Sequence, residues 1–306
     1  MPSLLRAQGY PAGQVVKVVV PFTPGGTTDI TGRLLADRWS QMWGTSVVVE
    51  NVAGAQGNIG NDRVAKSAPD GLNILICTPA VTTNQFLYSK LAYDPEKDLQ
   101  YLSQAVRIPN LLVVRNALPV KTVPDLIAYA KENRGKLNYG SPGIGSSGHL
   151  SAEIFKRMAG VEMVHVPYRG SALALNDLIA GNIDLIFENI PSCINLVRGG
   201  QIRGVAVTSA KVHPLSPEFP PVAETVAGFD VSAFFGVAVR AGTPEPIAKK
   251  IEESAIAAAT EPTVRAKLAE LSAEAVGSTA KDFSAFVISE RQRWGRIIKD
   301  LNIKMD

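Results

Sequence analysis

The chain has 306 residues, 46% hydrophobic and 19% charged, which supports one large or two smaller packed domains and excludes a disordered polymer. Its net charge is only +3, with Lys and Arg scattered among Asp and Glu, so no basic run points to nucleic acid. Two cysteines without C-x-x-C spacing and three scattered histidines exclude a thioredoxin-type motif and a cysteine-rich metal site, and no apolar run reaches the roughly 20 residues of a membrane span.

The opening MPSLLRAQGYPAG is too short and polar to be a complete export signal, and reads as the tail of one whose apolar part lies upstream of Gly9. Residues 15–20, VVKVVV, predict a strand buried on both faces, followed by the loop PFTPGG. A helix then places Ile30, Leu34, Leu35, Trp39, Met42 and Trp43 on one side and stops at Gly44. VVVE at 47–50 and ILIC at 74–77 predict two more strands, the second running into the polar loop TPAVTTN. A second series begins near Thr122, with a short strand at 137–141 and a helix at 149–159 that buries Leu150, Ile154, Phe155 and Met158. A strand at 162–166 follows, then a helix capped by Ser171 and stopped by Gly181, a strand at 183–189, a short helix from Pro191 to Arg198 and a strand at 202–209.

The apolar segments LLVVR at 111–115 and FFGVAVR at 234–240 flank this series, as a chain would that leaves one lobe, builds another and returns. Further helices open at Pro246 and Pro262, and a last one carries Phe283, Phe286, Val287, Trp294, Ile297 and Ile298. The alternation predicts an α/β protein with parallel strands. Residues 1–113 with 231–306 form lobe 1, residues 114–230 form lobe 2, and a ligand cleft lies between them. Cys77 and Cys193 fall in different lobes, and whether they pair stays open.

Gly143-x-Gly145-x-x-Gly148 has the spacing of a dinucleotide-binding fingerprint. Such a site needs an acidic residue at the end of the next strand to hold the ribose. That strand ends Val166-Pro167-Tyr168-Arg169, and Glu162 lies at its other end; Arg169 leaves only the phosphorylated, NADP-type variant. The loop has a counterpart in PFTPGGTTD at 21–29. Both loops join a strand to a helix N-terminus, where free amides and a partial positive charge attract anions. Ser141, Ser146, Ser147, Thr27 and Thr28 add hydroxyls without fixed charge, so two lobes would offer neutral donors to one acidic ligand. Asp29 would repel such a ligand, and is expected to face away and tie the loop's own amides. The blander alternatives are a tight turn at Gly25-Gly26, a cap at Thr27 or Thr28, loop structure for Tyr168 and Arg169, a structural donor at His149 and a turn cap at Asn189. No G-x-S-x-G elbow, phosphate loop or H-E-x-x-H is present.

These segments resemble the Bug receptors, the periplasmic solute-binding proteins of tripartite tricarboxylate transporters. The resemblance runs from about Gln14 to the C-terminus through VVVPFTPGGTTDITGRLLA, VVVENVAGAQGNIG, YGSPGIGSSGHLSAEIF, VHVPYRGSALALNDLIAGNIDLIFENIPS and VRAGTPEPI. It implies a two-lobed Venus-flytrap fold of type II with two hinge crossings, periplasmic location, and capture of a small mono- or dicarboxylate. It implies a membrane permease as partner, and for some members a sensor kinase. The ligand-binding residues it implies are Phe22, Gly25, Gly26 and Thr27 in one loop and Ser141, Gly145, Ser146 and Ser147 in the other, with Thr78, Tyr168, Arg169 and Asn189 around them. Two positions depart from the family pattern: Glu188 stands where Asp is usual, and Phe234-Phe235 where Trp-Tyr is common. The leading expectation is a monomeric, non-catalytic receptor with no cofactor, no metal and no nucleic acid. An NADP-dependent or other enzyme on an α/β scaffold, and a ligand sensor for a membrane kinase without transport, are the alternatives.

Overall fold

The computed structural model describes residues 9–304, so the first part of the leader read as an export-signal tail lies outside the described residues. In chain order the elements are β1 (Val16–Val20), α1 (Thr27–Trp43), β2 (Val47–Asn51), α2 (Asn58–Ala65), β3 (Asn73–Cys77) and α3 (Ala80–Leu87). β4 (Leu99–Val114), α4 (Val123–Glu132), β5 (Asn138–Ser141), α5 (Ser147–Ala159), β6 (Val164–Pro167) and α6 (Ser171–Ala180) follow. The chain ends with β7 (Leu185–Asn189), α7 (Ile190–Arg198), β8 (Arg203–Val207), β9 (Ser232–Arg240), α8 (Glu245–Thr260), α9 (Pro262–Glu270), β10 (Glu274–Ala275) and α10 (Ala280–Leu301).

Two parallel triplets of strands organise these elements. β1 lies between β2 and β3, and β5 lies between β6 and β7. The runs VVKVVV and NILIC are apolar apart from Lys17 and Asn73 because helices cover both faces of the first triplet. Each triplet is extended by antiparallel strands: β9 and β4 beside β3, and β4 again beside β7, with β8 on its other edge. β4 therefore belongs to both sheets. Its residues from Leu99 to Pro109 pair with β9, and those from Asn110 to Val114 pair with β7. The protein is thus a two-lobed α/β fold whose chain changes sheets at Pro109-Asn110 and returns just before Ser232.

Several elements differ from expectation for physical reasons. TPAVTTN is not a loop but the start of α3. Thr78 Oγ1 accepts from the Ala80 amide at 3.3 Å and Thr82 Oγ1 donates to the Pro79 carbonyl at 2.7 Å, so the threonines spend their polarity on local backbone and can be buried. β4 begins well before LLVVR, because the polar residues Ser103, Gln104 and Asn110 are buried inside the strand. FFGVAVR does not itself connect the lobes, since β9 pairs only within the first sheet. α10 bridges both cores: Phe283 and Val287 pack with Val19 and Phe234, while Trp294 and Ile298 pack with Phe155 and Phe229. Cys77 and Cys193 are both free and buried. Among the described residues, no helix is long and apolar enough to cross a membrane.

Candidate ligand-binding cleft

The loops after β1 and β5 are built alike. Gly25 has φ +88° and Gly145 has φ +85°, a left-handed conformation that glycine adopts without strain. Each glycine donates its amide to a side chain four residues on: Gly25 to Asp29 Oδ2, and Gly145 to His149 Nδ1, both at 3.0 Å. The next residue, Gly26 or Ser146, is the N-cap, and the helix starts at Thr27 or Ser147. Asp29 thus faces its own loop, as expected. It also accepts from Arg33 Nε at 3.0 Å and Asn51 Nδ2 at 2.9 Å, and although burial opposes ionisation, those partners hold its carboxyl below the usual range.

His149 is an acceptor rather than the expected donor. It stacks on His165, with ring centroids 4.2 Å apart, and His165 stacks on Tyr139 at 4.8 Å. His165 Nε2 lies 2.7 Å from Ser141 Oγ, which also accepts from the Gly143 amide. Burial, followed by the charges of His165 and Lys156, pushes His149 down to about 3; burial pushes His165 down to about 4 against the opposing pull of Glu153. Loop 2 therefore stands on uncharged imidazoles.

The start of α1 meets the start of α7 across a closed cleft. Thr27 donates its amide to Ser192 Oγ at 3.0 Å, and the two hydroxyls lie 2.8 Å apart. Thr23 Oγ1 donates to the Arg169 carbonyl at 3.1 Å, a second bond between the sheets. The cavity between them, open at one side, has about 500 Å³ of atom-free space when the solvent at its mouth is included. Its wall mixes the donors of Thr27, Thr28, Ser146 and Ser147 with the apolar surfaces of Phe22, Pro79, Ala80, Pro142 and Phe235, and it contains no ionisable side chain. The first amides of both helices have no acceptor within the helix.

Of the residues singled out from sequence, Phe22, Gly26, Thr27, Thr28, Thr78, Ser146, Ser147 and Asn189 come together on this wall. The others stand behind it. Gly25 and Gly145 are committed to Asp29 and His149, and Ser141 to His165. Tyr168 donates its hydroxyl to Asp177 at 2.6 Å, and Arg169 contributes its backbone carbonyl to the contact with Thr23. Thr23, Gln56, Gly170 and Ser171 complete the wall and were not singled out as ligand contacts. Ser171 is not the N-cap it was read as; Gly170 occupies that place. A legible signal existed for Gly170-Ser171, which lie after the carboxyl end of β6, where open sheets collect ligands. The glycines of the fingerprint serve packing: a Cβ on Gly148 would lie 2.2 Å from the Phe187 carbonyl, and one on Gly143 2.3 Å from Gln56. Among the described residues, no cluster of His, Cys, Asp or Glu could hold a metal ion.

A family model described as Tripartite tricarboxylate transporter family receptor matches residues 31–303. A protein of R. palustris solved with adipate is 40% identical, covering 95% of this chain and 98% of its own, with a TM-score of 0.93. The periplasmic binding protein BugD is 31% identical over 95% of this chain and 99% of its own, with a TM-score of 0.91. MatC from Rhodopseudomonas palustris, solved with bound malate, is 30% identical over 93% of this chain and 98% of its own, with a TM-score of 0.86.

Proposed function

The chain belongs to the tripartite tricarboxylate transporter receptor family, and from that premise we propose that it captures a small carboxylate between its lobes and delivers it to the membrane permease of such a transporter. The observation that carries this reading is the cavity: two helix N-termini converge on it, and no charged side chain lines it. A carboxylate there is held by amides and hydroxyls, whose dipoles are fixed by the fold. Adipate in one structural neighbour and malate in another agree with that chemistry. The relatives are binding receptors rather than enzymes, and this cleft is assigned no catalytic role.

The protein acts in the periplasm, reached through an export signal whose apolar part lies upstream of Gly9. Lobe 1 comprises residues 9–109 and 232–304 and lobe 2 residues 110–231, four residues short of the first boundary expected from sequence, and the lobes open about the sheet changes at Pro109-Asn110 and before Ser232. The residues we assign to the ligand are Phe22, Gly26, Thr27, Thr78, Ser146, Ser147 and Asn189.

Thermal unfolding in the presence of amino acids, citrate, adipate and benzoates, with NADPH as the contrasting ligand, tests the reading. A bound carboxylate stabilises by mass action, by about 2.7 kcal/mol at one hundred times its dissociation constant. A shift produced by NADPH and by no carboxylate overturns it.

A further inference from the structure

Glu188 stands at the end of β7, fully buried, directly behind the cavity wall. Its Oε1 accepts from the Ser171 hydroxyl and from the Asn189 amide, each at 2.9 Å, and its Oε2 has no hydrogen-bond partner. Ser171 and Asn189 are themselves wall residues. Gly26 closes the gap from the other side, where a Cβ would lie 3.5 Å from Ser171 Oγ.

A serine hydroxyl has one hydrogen and two lone pairs. With the hydrogen committed behind the wall, Ser171 meets the cavity as an acceptor. The commitment is strong for two reasons. A hydrogen bond to a carboxylate is roughly twice as strong as one between neutral groups. Glu188, already lacking a partner on Oε2, would also be left with the Asn189 amide alone if Ser171 turned away. A ligand carboxylate placed at Ser171 would face that lone pair and, with only a side-chain length of dry protein between, the acid behind it.

We propose that Glu188 is a positioning residue that sets the ligand specificity of the cleft, by orienting Ser171 so that the ligand selected presents a hydrogen-bond donor there, a hydroxyl or an ammonium, rather than a second carboxylate. The inference rests on the carboxylate reading above and narrows it to acids that carry such a donor. Near neutral pH the state of Glu188 does not alter the logic. Burial pushes it up to about 7 against the pull of Ser171 and Asn189, and Oε1 accepts in both the ionised form and the acid protonated on Oε2. Asp at this position, one methylene shorter, would reach Ser171 less closely.

Calorimetry at pH 8 on linear dicarboxylates of four to eight carbons, each beside its 2-hydroxy derivative and its ω-hydroxy monocarboxylate, tests the proposal. For whichever skeleton binds, a donor-bearing member should bind roughly tenfold tighter than the plain dianion. Ser171→Ala removes the acceptor and should erase that preference. Glu188→Met, near-isosteric, frees the Ser171 hydroxyl and should turn the preference towards the dianion, while Glu188→Gln keeps an acceptor oxygen and should retain it. A purely structural role would weaken all members alike. Should Glu188→Met fail to fold, Ser171→Ala decides alone. Binding of the plain dianion as tight as that of its hydroxylated partners, or a preference unchanged in Ser171→Ala, overturns the inference while leaving carboxylate capture standing. No binding by any member overturns both.

Discussion

The two cleft loops solve one backbone problem on opposite electrostatic foundations. Gly25 and Gly145 share a left-handed φ and the same amide-to-side-chain bond four residues on. Beneath Gly25 lies an ionised carboxylate neutralised by Arg33, which is more than half exposed. Beneath Gly145 lies a stack of neutral rings in the core of lobe 2, with His149 only 4% exposed. Asp29 is as buried as His149, so the difference lies in what stands behind each: a counter-charge that reaches solvent for loop 1, neutral rings in the core for loop 2. The difference teaches that an anion site of neutral donors does not dictate what orients it, and that lobe 2 should be the less forgiving of change.

The largest expected effect probes that contrast directly. A Cβ on Gly145 would lie 2.1 Å from Leu87 Cδ1, whereas one on Gly25 would meet nothing within 4 Å. Both valine variants force a β-branched residue into positive φ, costing about 1–2 kcal/mol. Gly145→Val adds overpacking against buried Leu87, about 1–3 kcal/mol more. Thermal or urea unfolding should therefore rank Gly145→Val well below Gly25→Val, and equal losses would break the contrast.

Acid should sharpen it. Histidines whose folded values are depressed contribute stability that is complete above about 6.5 and drains as the pH falls towards about 4 and 3. From pH 8 to pH 5 the pair should lose about 4 kcal/mol. Glu188 runs the other way: its raised value makes the folded state gain protons, and stability, as the pH falls through about 7, which returns about 2–3 kcal/mol. Asp29, held low, contributes nothing to this window because its stabilisation drains only below its ordinary 3.8. His213, also held down by burial, drains in the same window in both proteins, so the comparison is the measure: from pH 8 to 5 wild type should lose about 2–3 kcal/mol less than Glu188→Gln. Denaturation at the two pH values measures both. Histidine NMR titrations of His149 and His165 with midpoints near 6.5 would defeat the account.

How much of this was legible in sequence depended on the range of the interactions. β1, α1 and α6 stood out because their apolar period and stops are local. The pairing of Gly25 with Gly145 was visible only as two glycine loops; their true equivalence, which aligns Gly26 with Ser146, needs the amide bonds to Asp29 and His149. The early half of β4 and the start of α3 were hidden because buried Ser, Gln, Asn and Thr imitate loop composition in the sequence. Ser171 could be placed on the wall from its position after β6, but not its orientation, which we assign to Glu188, seventeen residues away in β7.

The smallest expected effect concerns Arg169, the one cation in either loop region that sequence alone nominates as an anion clamp. Its side chain does not line the cavity, and its backbone carbonyl, which accepts from Thr23, survives truncation. Arg169→Ala should therefore change carboxylate affinity by less than about threefold, the scale of an exposed charge acting through water. Gly26→Val supplies the contrast. Its backbone, at φ −86° and ψ 170°, accepts a side chain without strain, but the added carbons enter the gap that separates Gly26 from Ser171. It should stay folded by circular dichroism and lose binding. Calorimetry on the two variants compares a residue near the cleft with one in it. If Arg169→Ala abolishes binding while Gly26→Val retains it, the anion is held by a guanidinium and not by the helix N-termini, and the likeness of the two loops would be structural only.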